Sequence, residues 1–434
     1  MGIEKLFKLL DEVSTGKFAY KKSIRTENIR DRTIAVDTSL ILHKGMVKIR
    51  SDRGDDLRSA VNGRPITHIR VLLYKALSYR VNRITPVFVF DGRPPPGIKD
   101  DILEERRKLA KTNREHYEEA VRNGDKINEK KYFGRLTRIR KEYIEDCKHL
   151  LDRMGMPYIH ATGEADPLCA ALARRSDVYA AASDDSDLLA FGAPVLLRFM
   201  TNKGSFDEVD LKKVRQTLGL EIDYSDLSDI ELVELHERFT SDNDIRSHLE
   251  KLSHQRFVDL CFLMGIGKVP TITGLGYRGA LSLIQKYSNL RSCIAELERR
   301  NQMSVKDGGP ILYTIPPDYF KKIHLRYQCY NGIEPKIIDP MSVDVKMKPA
   351  QIALLKEYLV TELGMPKKEI STVIRKLQNP RQSRYRSFHR HPRREPNHWF
   401  KRIHIKSGKH GQKHSNSGRY IKQFKHRRNS DRAG

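Results

Sequence analysis

An α/β fold with a mostly parallel central sheet, followed by an all-helical second half, is predicted by three features of this 434-residue chain. The first is a series of short apolar runs that end in acid: TIAVD closing at Asp37, PVFVF running into Asp91, and VYAAASDD leading to Asp185. Buried parallel strands read as near-continuous apolar runs, and their carboxyl ends line ligand sites in open α/β sheets. The second feature is the long charged stretches between those runs, whose apolar residues recur with helical rather than alternating spacing. The third is the C-terminal half, where 255–290, PAQIALLKEYLV and KKEISTVIRKL all carry helical patterns, the last ending before Asn379 and Pro380.

Taken in order, TIAVD and PVFVF are strands, and 100–155 is a charged helical stretch broken around Asn123, Gly124 and Asp125 and again near Gly134. In GEADP, Pro167 suits a first helical turn and Asp166 the cap before it, so Glu164 and Asp166 are placed at a helix start. VYAAASDD and PVLLRF are the next strands. In an extended chain residues i and i+2 share a face, which puts Asp185 and Asp187 on one side at the end of theirs.

Charge restricts the partners. The formal net charge is +26 with a pI near 9.8, far more than solubility requires, and it predicts a polyanion, nucleic acid first. There is no apolar run near twenty residues and no hydrophobic N-terminal segment, so a membrane or secreted protein is not expected. Five cysteines (Cys147, Cys169, Cys261, Cys293, Cys329) lie far apart, without zinc or disulfide spacing, and fit reduced, buried positions. Residues 381–434 hold 17 Lys and Arg against two acids, hence +15 of the +26, with few aliphatic residues. Such a segment cannot bury enough surface to offset chain entropy, and 379–434 is read as a disordered basic tail.

The acids carry the chemistry. Asp37, Asp91, Glu164, Asp166, Asp185 and Asp187 occupy four places that an α/β sheet brings to one edge, and turns alone explain six acids there poorly. Phosphodiester hydrolysis needs a deprotonated water, charge neutralisation at phosphorus and stabilisation of the leaving oxygen, which two Mg2+ ions about 4 Å apart supply. Magnesium takes hard oxygen ligands and keeps several waters, so a few carboxylates per ion suffice.

MGIEKL, FDGRPP, EDCKHLL, GMPYIHATGEAD, DLCFLMG, GLGYRGALSLIQKY and IIDPMSVDVKMKPAQIALLKEYL, in this order, resemble the flap endonuclease branch of the structure-specific 5′ nucleases over roughly residues 1–378. The resemblance implies a PIN-like nuclease domain formed by 1–110 and 146–255, a helical arch over 99–145, and a helix–two-turn–helix and C-terminal helical region over 256–378. It makes the six acids ligands of two Mg2+ ions, with Mn2+ able to substitute. It makes Lys99 and Arg106 the cations on the scissile phosphate. Arg135, Arg138 and Arg140 would follow phosphates of a threaded strand, and Gly2, Arg50, Lys75, Glu164, Gly265, Gly267, Gly274 and Gly276 fall where the family meets DNA. Gly274 and Gly276 would let backbone amides approach a phosphate beside a monovalent cation.

Four departures, one of them Asp166 in place of a glutamate, which shortens the reach by one methylene, stand out against the family pattern. Where it has glycine, a small residue and an aspartate that completes the second metal site, this chain reads Gly265, Ile266, Gly267, which predicts a weaker second metal. His43 stands where an aromatic ring commonly stacks on a base. Residues 221–253 are an acid-rich, helix-like stretch without counterpart, expected as a surface insertion. Gln382, Tyr385, Phe388 and His389 follow the spacing of a sliding-clamp peptide.

The function implied is a Mg2+-dependent, structure-specific 5′ flap endonuclease and 5′-3′ exonuclease in DNA replication and repair. It would act as a monomer on branched or flapped DNA, in the nucleus or, for a virus-encoded copy, a viral replication compartment. Two rivals remain: a catalytically decayed protein that binds branched nucleic acid, with Gly267 as its mark, and an RNA-cutting relative of the same fold.

Overall fold

The structure is a computed structural model that describes residues 2–380 except 4, 15–18, 93–99, 199–203, 240 and 331–344, and except the side chains of 100–103, 229, 268, 325, 326 and 329. The basic tail and its clamp-like residues Gln382, Tyr385, Phe388 and His389 lie outside the described residues, as does Lys99.

Among the described residues seven strands form one sheet: β1 (Lys21–Arg25), β2 (Thr33–Asp37), β3 (Thr85–Phe90), β4 (Tyr158–His160), β5 (Ala180–Ala182), β6 (Val195–Arg198) and β7 (Ser205–Asp210). Their order is β1-β7-β6-β5-β2-β3-β4. The inner pairs β6/β5, β5/β2, β2/β3 and β3/β4 are parallel, and β7 runs antiparallel to both β6 and β1. The short apolar runs are thus the parallel strands. The antiparallel edge was not foreseen, because Lys21–Arg25 and Ser205–Asp210 carry mostly polar residues, with only Ile24, Phe206 and Val209 buried.

Period-two alternation divides the sheet into two packed faces. Ile34, Val36, Phe88 and Phe90 point to a layer formed by helices Thr67–Val81 and Lys141–Met154 with the C-terminal helix Lys367–Gln378. Ala35, Val87, Val89 and Ala181 point the other way, against helices Ala165–Arg174, Asp242–Met264, Tyr277–Tyr287 and Leu290–Lys306. Large apolar side chains buried on either face contribute about 1.5–3 kcal/mol each, which fixes the strand register from both sides.

From β2 the chain steps outward through β3 to β4, then returns to the other side of β2 for β5 and β6. The carboxyl ends of β2 and β5 therefore flank a point where the winding direction reverses, the place where open α/β sheets leave a crevice.

The charged stretch resolves into helices Asp100–Arg122, Lys126–Arg135 and Lys141–Met154. Asp125 caps the second by accepting from the Ile127 and Asn128 amides, which is why the first break falls at Asn123–Asp125. Between 221 and 253 lie a short 3-10 turn (Tyr224–Asp226), the helix Asp229–Arg238 and the first half of Asp242–Met264. This segment is tied down where Arg215, almost fully buried, pairs with Glu221 at 2.6 Å, and where the Ile222 amide donates to Ser253 Oγ. The second helical region consequently begins at Asp242 rather than 255. Cys147, Cys169, Cys261 and Cys293 are buried free thiols.

Candidate active site

Asp37 is the last residue of β2 and at the same time the N-cap of helix Thr38–Arg53, where its Oδ1 accepts from the Leu40 amide at 3.1 Å. Its other oxygen accepts from Ser183 Oγ at 3.1 Å, so the carboxylate is locked in place at 6% exposure. Asp91 follows β3 directly, and its Oδ1 accepts the Ala165 amide at 2.8 Å. That bond brings the N-terminus of helix Ala165–Arg174, with its positive dipole end, against the end of β3.

Two expectations are corrected here. The cap of that helix is Glu164, in extended conformation and without a side-chain capping bond, while Asp166 lies inside the first turn. Asp166 is thereby released from capping. Its Oδ1 is buried and has no hydrogen-bond partner. Asp185 and Asp187, in turn, do not end a strand on a common face: β5 stops at Ala182, and Asp187 begins the short helix Asp187–Ala190. Their relation is a local turn in which the Asp187 amide donates to Asp185 Oδ1 at 3.1 Å, and Ser183 Oγ accepts from the Asp185 amide at 3.2 Å. Polar residues that bond their own backbone at short range outcompete strand continuation.

The acids are electrostatic neighbours. Burial first, then Asp91 and Asp185, push the Asp37 carboxyl up to about 7. Burial, followed by Asp37, Asp185, Asp91 and Asp187, pushes Asp166 well above the usual carboxylate range. Asp37, Asp91, Asp166, Asp185 and Asp187 therefore converge from four separate segments, and Glu164 sits two residues from Asp166 at the helix cap. Among the described residues no three His, Cys, Asp or Glu side chains close into a ready-made cage for one ion. An open acidic cluster with an unpartnered Asp166 oxygen fits a hard divalent cation that keeps part of its water shell, such as Mg2+.

Gly2 lies against this cluster: a side chain there would run into Asp185 Oδ1 and Ser186 Oγ, and the Ile3 amide donates to Ser186 Oγ at 2.8 Å. Arg106 is exposed on helix Asp100–Arg122 and close enough to His43 that, after desolvation, it is the main influence holding that imidazole below its ordinary range. Lys44 pairs with Asp184 at 2.8 Å.

Arg50 and Lys75, expected where the family meets DNA, are both engaged by neighbouring side chains. Arg50 donates to Thr137 Oγ1 at 3.0 Å, approaches Asp56 at 3.3 Å and stacks over the Phe133 ring at 4.3 Å. It ties helix Thr38–Arg53 to the loop after Lys126–Arg135, and only its edge reaches the surface. Lys75 is half-buried with its ammonium 5.3 Å over Tyr79, and burial lowers its pKa against the pull of Asp184.

Beside Arg50 a cavity of about 410 Å³ is lined by Arg114, Arg138 and Arg140 together with Leu136, Ile139 and Tyr143. Arg114 was not singled out in the sequence, because a charge on a helix full of charges gives no periodic signal. Arg135 instead lies over the Tyr132 ring. Gly265 ends helix Asp242–Met264 in the left-handed region, and Gly276 caps helix Tyr277–Tyr287. Between them Gly274, at φ +89°, passes so close to the Leu312 carbonyl that no side chain would fit. Gly267, at φ +55°, faces the Tyr330 hydroxyl. Ser183, which fixes both Asp37 and the turn at Asp185, is the residue that sequence reasoning missed most plainly. Its position inside SDDSD was the available signal.

The XPG N-terminal domain family matches residues 1–113 and the XPG I-region family residues 155–266. Flap endonuclease 1 of Xenopus tropicalis is 30% identical over 392 residues, covering 88% of this chain and 87% of that protein. In fold, the chain resembles a flap endonuclease-1 structure from Methanococcus jannaschii (TM-score 0.56, 22% identity, 87% of this chain and 98% of that one). It also resembles the catalytic core of Rad2 in complex with DNA substrate (TM-score 0.57, 19% identity, 87% of this chain and 100% of that one). Identity at this level over 88% of the chain, together with the two XPG domain matches, places this chain within the flap endonuclease branch of the XPG nuclease family.

Proposed function

We infer that this chain is a structure-specific 5′ flap endonuclease with 5′-3′ exonuclease action, which hydrolyses phosphodiester bonds of branched or flapped DNA in replication and repair. The observation that carries the reading is the group of acids at the carboxyl ends of β2, β3 and β5, in which burial and the neighbouring carboxylates push Asp37 and Asp166 above the ordinary carboxylate range. Asp37, Asp91, Glu164, Asp166, Asp185 and Asp187 would hold two Mg2+ ions, or Mn2+ in their place. When bound, the metals supply a nucleophilic hydroxide at neutral pH and neutralise charge on the phosphate.

The chain's own residues do the rest. Ser183 and the Leu40 amide keep both Asp37 oxygens oriented, so no reorganisation is needed as charge develops. Arg106, presented next to His43, and Lys99 would stabilise the scissile phosphate. The arginine-lined cavity offers Arg114, Arg138 and Arg140 to the phosphates of a single strand, and the loop at Gly274 and Gly276 offers backbone to a duplex phosphate with a monovalent cation. The net charge of +26 steers the substrate from a distance. We assign the protein to the nucleus, or to a viral replication compartment for a virus-encoded copy, acting as a monomer. Gln382, Tyr385, Phe388 and His389 are proposed to engage a sliding clamp.

Cleavage of labelled 5′ flap DNA, blunt duplex and single-stranded RNA in one assay, with Mg2+ or Mn2+ titrated and Asp185→Ala as control, tests the reading. Metal-dependent cutting at the flap junction that disappears in Asp185→Ala is expected. No cleavage of the flap at any metal concentration, or a preference for RNA, would overturn it.

A further inference from the structure

Gly267 and Tyr330 come from elements separated by more than sixty residues, and each accounts for the other. Gly267 follows the end of helix Asp242–Met264 at φ +55°, and a Cβ built on it would stand 3.2 Å from Tyr330 Oη, tighter than ordinary contact. Tyr330 is the last residue of helix Tyr319–Tyr330. Its ring stacks on Phe191 with centroids 4.3 Å apart and meets Phe262 edge-on at 5.8 Å. Two aromatic partners leave the ring few orientations, so its hydroxyl has a fixed address. That address is the acidic cluster: Tyr330 Oη donates to Asp187 Oδ2 at 3.5 Å, with Asp166 and Asp185 beyond it.

We propose that Tyr330 is a positioning residue of the metal centre, a neutral hydroxyl that holds Asp187 beside Asp185 in the space a carboxylate at position 267 would otherwise enter. This rests on the reading of the acids as a divalent-metal site. A phenol in that place adds no negative charge to a cluster that already repels itself, and it supplies a donor where another acid would supply only an acceptor. Groups that orient a ligand without touching the metal typically matter by about 10- to 100-fold in affinity. The glycine at 267 is then a fitted residue rather than a lost one, since a larger side chain meets both a left-handed backbone and an occupied volume.

The test is Mn2+ binding to the full chain without DNA, followed by electron paramagnetic resonance, with thermal midpoints as a check on folding. Tyr330→Phe keeps both ring contacts and removes only the hydroxyl. It is expected to weaken the looser Mn2+ site about 10-fold while leaving the tighter site unmoved. Gly267→Asp alone is expected not to tighten binding, whereas Gly267→Asp combined with Tyr330→Ala tightens it above wild type. A Tyr330→Phe chain that binds Mn2+ like wild type, or a single Gly267→Asp change that strengthens binding, would overturn the proposal and leave the metal-site reading standing. A wild-type chain that binds no Mn2+ overturns both.

Discussion

Two acid-bearing regions of this molecule lie on the same scaffold and solve the same problem in opposite ways. Asp146, on helix Lys141–Met154, accepts from His68 Nε2 at 2.9 Å and pairs with Arg64 at 3.2 Å. Those partners outweigh burial and hold its carboxyl below the usual range. Asp37 and Asp166 are surrounded by acids instead, and burial together with Asp91, Asp185 and Asp187 drives them upward. The first region is compensated from within and belongs to the packing of helices. The second carries more like charge than its own chain offsets at Asp37 and Asp166, and a bound divalent cation would relieve it. What separates a structural from a functional carboxylate here is not burial but who supplies the positive charge.

The sharpest way to break that contrast is to neutralise one acid of each kind. Asp146→Asn removes the charge that His68 and Arg64 face, and is expected to cost about 1–3 kcal/mol of stability with flap cleavage retained. Asp185→Asn keeps the oxygen that accepts the Asp187 amide and removes one like charge. In metal-free buffer it is expected to leave stability within about 0.5 kcal/mol of wild type or slightly above it. Its cleavage rate should fall on the order of 10³-fold. Urea denaturation in EDTA and single-turnover cleavage give the two numbers. A loss of stability in Asp185→Asn as large as in Asp146→Asn would show that the acidic cluster is structural after all.

Metal loading sharpens the same contrast with a smaller effect. A ligand that binds only the folded state at a hundredfold over its Kd stabilises by about 2.7 kcal/mol. Mg2+ should therefore raise the thermal midpoint of wild type and of Asp146→Asn by the same few degrees, and that of Asp185→Asn by clearly less. Equal shifts in all three would place the bound ions elsewhere.

How far the sequence foretold this arrangement follows from what kind of signal each part leaves. TIAVD and PVFVF were legible as buried strands because both faces of a central parallel strand are covered, which favours a continuous apolar run such as Ile34–Val36 and Val87–Phe90. Lys21–Arg25 was not, since an edge strand with a single buried Ile24 carries no pattern. That the acids come together was legible, but their local geometry was misread. Ser183, Asp185 and Asp187 form side-chain to backbone bonds that end β5 early, and such turns depend on bonds that periodicity does not register. Tyr330 was invisible for a different reason. Its meaning arises only when a helix near the end of the folded chain is brought beside Gly267, a contact that no spacing along the chain encodes.

The smallest effect, on pH, follows from the opposite directions of the two regions. Burial and neighbouring acids push Asp37 from its ordinary 3.8 up to about 7 in the folded chain without metal, and push Asp166 well above the ordinary carboxylate range. Between these values the folded chain holds protons that the unfolded chain has released, so stability falls as pH rises from about 4 through about 7. Asp146, whose pKa is lowered, contributes stability that is present above the ordinary carboxylate range and lost only below it. His254, held down to about 4 by burial, acts against the cluster in the same window, because an unfolded histidine takes up a proton as pH falls through 6.5. The informative quantity is therefore a difference. In EDTA, the thermal midpoint of wild type minus that of Asp37→Asn should decline from pH 5.5 to pH 8 by a few degrees at most. With saturating Mg2+ the slope should reverse, since the ion needs the carboxylates deprotonated. A difference that stays flat in EDTA would mean that Asp37 titrates as an ordinary exposed acid, and the distinction between the two regions would lose its electrostatic basis.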